Sequence, residues 1–72
     1  MSYIRKISVG LNYKDAMHYM IDQSVMGGDW TIHAVTQDQD GCHLWIQRGN
    51  EITKWKQFNK NVPITIEYNV NF

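Results

Sequence analysis

Cys42–Phe58 reads CHLWIQRGNEITKWKQF. The run divides at Gly49-Asn50 into two apolar-alternating halves, and glycine in the first loop position suits a two-residue type II′ hairpin turn. With those two residues as the loop, Arg48 faces Glu51, Ile46 faces Thr53, Leu44 faces Trp55 and His43 faces Lys56. Period-two alternation then sets Cys42, Leu44, Ile46 and Trp55 on one face. The other face carries His43, Trp45, Ile52, Lys54, Lys56 and Phe58. Neither is a plain solvent face.

Working outward, Asp38-Gln39-Asp40-Gly41 is a turn that ties the hairpin to a preceding strand, Trp30–Gln37, rich in β-branched residues. Downstream, Asn59–Pro63 is a loop, and Ile64–Phe72 shows the cleanest alternation in the chain. There Ile64, Ile66, Tyr68, Val70 and Phe72 point one way, with Thr65, Glu67, Asn69 and Asn71 opposite. Upstream, Tyr3–Leu11 alternates as a first strand. Between it and Trp30 the period changes. Tyr13, Ala16, Met17, Met20 and Ile21 follow helical spacing, Asn12 is placed as an N-cap and Asp15 sits in the first turn, so a helix is expected from about 13 to 22. Gln23–Met26 is expected as a short extended piece turning at Gly27-Gly28. The expected fold is α+β: a single domain over 1–72, with a small antiparallel sheet of about five strands in the order β-α-β-β-β-β and one short helix packed on one face.

At 72 residues the chain buries only about 60% of its unfolded surface, which leaves a thin core. With one cysteine, Cys42, it forms no internal disulfide, which suits a reducing compartment. No secretory signal stands behind Arg5 and Lys6, and no apolar run approaches the roughly 18 residues of a membrane span. A soluble, cytoplasmic protein is expected. Net charge is zero but unevenly laid out: the middle holds Asp15, Asp22, Asp29, Asp38 and Asp40, while Arg48, Lys54, Lys56 and Lys60 follow. Nothing is basic enough for wholesale binding to duplex nucleic acid.

The expected helix cannot cover all the large apolar groups. Trp30 and Ile32 alternate opposite Val35, Trp45 opposite Leu44 and Ile46, and Ile52 opposite Trp55. Each such side chain is worth roughly 1.5–3 kcal/mol when buried. Three solutions remain open: a second subunit on the exposed face, a planar ligand there, or a strongly coiled sheet that wraps both faces into one barrel-like core.

Catalytic and metal signatures are absent. His18, His33 and His43 have no metal-ligand spacing, Ser8, Ser24 and Cys42 lack a nucleophile context, and the aspartates fall where turns want them. No glycine-rich phosphate loop is present. A non-catalytic protein without cofactor is expected. The suggestive set is His43, Trp45, Lys54 and Lys56 on one hairpin face, with Arg48, Trp30 and Tyr19 as further candidates. An aromatic ring stacks on a base while a cation meets a phosphate. The plainer alternative makes Trp45 core or interface and the lysines guards of a sheet edge.

Arg5-Lys6-Ile7-Ser8-Val9-Gly10, then Tyr13-Lys14-Asp15-Ala16-Met17-His18-Tyr19, then Trp55-Lys56 and Pro63 with Glu67-Tyr68-Asn69, span most of the chain. In these runs it resembles small accessory proteins of tailed bacteriophages. The resemblance brings no site residue with it. It implies action on the host cell: blocking a defence protein, redirecting an enzyme, or sequestering a nucleotide signal. The expected function is therefore counter-defence by a homo-oligomer that captures a small cyclic nucleotide, with inhibition of a host protein through an aromatic face or sheet edge as the alternative.

Overall fold

Seven strands account for most of the computed structural model, which describes residues 2–70. They are β1 (Ser2–Val9), β2 (Met17–Met20), β3 (Ser24–Val25), β4 (Trp30–Asp38), β5 (Gly41–Arg48), β6 (Glu51–Phe58) and β7 (Ile64–Val70). A 3₁₀ turn, Met26–Gly28, joins β3 to β4. The strands form two antiparallel sheets, ordered β2-β1-β7 and β3-β4-β5-β6.

The expected α+β fold is corrected on this point: no α-helix occurs among the described residues. The segment read as a helix makes one turn and then extends. Asp15 N–H donates to Asn12 O at 3.0 Å and Ala16 N–H to Tyr13 O at 3.4 Å, while Asn12 Oδ1 accepts from Lys14 N–H. From Met17 the chain instead pairs along Lys6–Val9 of β1, which buries Tyr19 against Ile7. A helix of ten or so residues is marginal alone, and pairing with β1 instead carries Tyr19 into the core. Asp22 seals the outcome with φ 72°, a left-handed conformation that ends any helix.

That residue also marks a corner. Ile21 N–H donates to Arg5 O in the first sheet, and one residue on, Asp22 N–H donates to Ile32 O in the second, each at 2.9 Å. The chain thus passes from one sheet to the other with the N–H groups of both Ile21 and Asp22 paired. The two sheets close over a shared core of Ile7 and Tyr19 from one side and Ile32, Val35, Cys42, Leu44 and Ile46 from the other.

Three bulges decide which side chains turn inward. On β1, Arg5 is the extra residue between the pairs Ile4–Tyr68 and Lys6–Glu67. His33 plays that part on β4, between Ile32–Ile46 and Ala34–Trp45. On β6 it is Trp55, between Lys54–Trp45 and Lys56–Leu44. An inserted residue shifts the alternation by one. Ile4 and Ile7 therefore both reach the core, as do Ile32 and Val35. The hairpin register is as expected at Arg48–Glu51 and Ile46–Thr53, but beyond the bulge Leu44 faces Lys56 and His43 faces Gln57. The shortage of cover expected from one helix has the same root. A second sheet supplies the lid, and the bulges redirect part of the excess apolar surface inward.

Other boundaries follow local chemistry. Gly49 alone of the hairpin pair takes positive φ, 60°. β1 ends at Val9, not Leu11: Gly10 turns the chain at φ 142° and leaves Leu11 94% exposed. Gly41 has φ 126°, and a Cβ there would land on the carbonyl oxygen of Phe58. The final strand begins at Ile64 as expected; Asn71 and Phe72 lie outside the described residues.

Candidate functional site

The outer face of the four-stranded sheet, turned away from the core, is built from β4, β5 and β6. Cross-strand register sets three rows on it: Thr31, Gln47 and Ile52; Ala34, Trp45 and Lys54; Thr36, His43 and Gln57. Trp45 sits at the centre. Its indole N–H donates to Thr36 Oγ1 at 2.9 Å, which fixes the ring on the sheet. The Lys54 ammonium lies 5.6 Å from the ring centroid, within cation–π range. Trp45 is half-buried and Lys54 exposed, so the two present a flat ring and a positive charge together.

His43 anchors the end of this face. Its Nε2–H donates between both carboxylate oxygens of Asp38, at 3.0 and 2.9 Å. The hydrogen bond from His43 holds the Asp38 carboxyl below the usual carboxylate range, helped by the backbone N–H of Asp40 and, least, by the Lys54 charge. His43 is buried, and among the described residues its Nδ1 has no hydrogen-bond partner.

The seven candidates from the sequence divide into three groups. His43, Trp45 and Lys54 share the outer face. Arg48 stacks over Trp30 at 4.6 Å and bonds Glu51 at 3.2 Å, beside the hairpin turn. Tyr19 is buried, with its ring 5.9 Å from Trp55 and 5.8 Å from Phe58. Lys56 follows Trp55 rather than Lys54: its ammonium lies 4.8 Å from the Trp55 ring, opposite the buried Leu44. The bulge at Trp55 is what parts the two lysines.

Sequence reasoning missed Thr36 as the partner of Trp45 and Asp38 as the partner of His43, because only the β4–β5 pairing brings them there. It also missed a cluster on the other sheet. The buried Ser8 hydroxyl meets His18 Nδ1 at 2.8 Å, while His18 Nε2 lies 3.1 Å from Tyr13 O. A carbonyl only accepts, so Nε2 carries a proton, and in the neutral imidazole Ser8 donates to Nδ1. The Tyr13 ring covers the pair, 4.6 Å from His18, and its hydroxyl accepts from Lys6 Nζ at 2.8 Å. That hydrogen bond raises Lys6 above the ordinary lysine range, and Glu67 adds to it.

A cavity of about 180 Å³ opens at the end of the core among Asp38, Cys42, Lys60, Val62, Ile64 and Ile66. It is smaller than the roughly 300–1,000 Å³ of small-molecule sites. Burial pushes the Cys42 thiol up, away from the reactive thiolate. Among the described residues no three His, Cys, Asp or Glu side chains are grouped to hold a metal ion, and no helix is long and apolar enough to cross a membrane. Set beside protein-family models, curated proteins and solved structures, the chain matches none.

Proposed function

We propose that this chain is a non-catalytic binding protein that takes a small nucleotide on the outer face of its four-stranded sheet. The observation that carries this reading is the Trp45 ring, tied to Thr36 by its indole N–H, with the Lys54 ammonium over it at 5.6 Å from the centroid. A base stacks on the indole and a phosphate meets the ammonium. The face is open rather than enclosed, so one copy grips one side of a planar ligand. Self-association supplies a second wall, and a homo-oligomer that sequesters a cyclic nucleotide signal fits the counter-defence role implied by the phage resemblance. A thermal-shift screen against cyclic di- and trinucleotides tests it. A bound ligand raises the melting temperature and is recovered intact after denaturation. No shift with any of them removes the reading, and a consumed ligand replaces it with an enzyme.

A second reading, an inhibitor that docks on a host protein, is favoured by a separate observation. Leu11, Tyr13 and Met17 all stand exposed in or beside the β1–β2 loop. Substituting Leu11 and Met17 by serine weakens such docking and leaves nucleotide binding unchanged.

A further inference from the structure

The two sheets have four edge strands, β2, β7, β3 and β6. Exposed edges invite pairing with another chain, and proteins blunt them by shortening, bulges or lysines. β2 has four residues and β3 two. β6 carries Lys54, Lys56 and the bulge at Trp55. β7 has none of these guards. It runs seven residues, ITIEYNV, without lysine, arginine or proline. The bulge in its ladder falls on β1, at Arg5, so β7 itself stays regular. Its one charge, Glu67, is held by Arg5 at 3.3 Å and Lys6 at 3.6 Å.

We infer that the free edge of β7 is a self-pairing interface, taken by β7 of a second copy in antiparallel register. Gly10 N–H donates to Pro63 O, so Pro63 bonds toward β1. By alternation Thr65 also bonds toward β1, and Ile64, Ile66 and Tyr68 aim their N–H and C=O groups outward. A two-fold axis at Ile66 pairs these outward groups with each other. Ile64 of one copy then lies opposite Tyr68 of the other, and Thr65 opposite Glu67. Tyr68, 55% exposed in the single chain, gains an apolar neighbour. Moving the axis to Glu67 would set two carboxylates face to face, which disfavours that register. The two three-stranded sheets join into one of six strands. This pairing lies on the edge of the three-stranded sheet, is separate from the second wall over Trp45 proposed above, and does not depend on the nucleotide.

Sedimentation of the full chain tests it, with Tyr68→Lys and Thr65→Lys as edge-guard variants. Both side chains are exposed, and neither change removes a backbone bond to β1. The wild type sediments as a dimer at about 100 μM, and each variant raises the dimer Kd at least about tenfold. Amide exchange on the wild type gives a readout free of mutation: Ile66 and Tyr68 N–H groups are protected when concentrated and lose protection on dilution. A wild type that stays monomeric, or a dimer indifferent to both variants with no concentration-dependent protection, overturns the interface. Nucleotide-induced thermal shifts are read separately, and their absence bears on Trp45 and not on β7.

Discussion

His43 Nε2 stands within 3.0 Å of both carboxylate oxygens of Asp38, joining the two ends of the β4–β5 turn. The imidazole is 4% exposed and the carboxylate 54%, so the pair links the buried start of β5 to solvent. A titratable group thereby enters the stability of the hairpin.

The sign follows from the direction of the shift. Asp38 has its carboxyl depressed in the folded state by the His43 hydrogen bond. Its contribution is complete above the unfolded value, about 3.9, and is lost as pH falls through the depressed folded value. Asp38→Asn is expected to unfold at lower urea than wild type at neutral pH. The gap should narrow below about pH 4. A gap that is constant across acid pH would show that the charge on Asp38 plays no part.

Gly41 carries a backbone demand independent of the site. Its φ of 126° disfavours any side chain, and a Cβ would strike the Phe58 carbonyl. Strain and overpacking each cost about 1–3 kcal/mol. Gly41→Ala should therefore destabilise by about 3 kcal/mol or more, enough in so small a domain to leave it largely unfolded by circular dichroism. A cooperative melt near the wild-type temperature would contradict the β5–β6 register at Phe58.

The Ser8 hydroxyl, buried at 3% exposure, has His18 Nδ1 as its partner. Ser8→Ala removes the donor and leaves the acceptor, at a cost of about 1–3 kcal/mol. His18→Leu on the Ser8→Ala background should recover part of that loss. Additive losses in the double-mutant cycle would mean the pair is not coupled.

On the outer face, the ligand reading separates lysines that the sequence treats alike. Base stacking is worth about 1–3 kcal/mol, so Trp45→Ala should weaken nucleotide binding by roughly ten- to a hundredfold, while Trp45→Phe keeps most of it. Lys54→Ala should weaken binding at low salt, and Lys56→Ala should not, because Lys56 lies with Trp55 opposite Leu44. Calorimetry on the four variants measures both. Equal losses from the two lysines would place the phosphate elsewhere.

Much of the β-structure was legible because its signals are local. Gly49-Asn50 makes its turn, Asp38–Gly41 makes another, and Ile64 begins the strand its alternation announces. The segment 13–22 misled for the same reason. Its i, i+3, i+4 pattern is real, but Met17, Tyr19 and Ile21 also alternate, and spacing alone cannot choose between the two periods. The candidate site was half legible: Trp45 and Lys54 are neighbours, but Lys56 is parted from them by Trp55, and Asp38 enters only through pairing.

By itself the sequence determined where this chain turns and which stretches extend, since glycine, proline and β-branched residues act on their own backbone. Only the tertiary structure decided that β2 displaces a helix, and that Arg5, His33 and Trp55 are the inserted residues that choose each strand's inward face. A bulge has no side-chain chemistry of its own. It exists only between two strands, where the ladder bonds and the core apolar groups must both be satisfied at once.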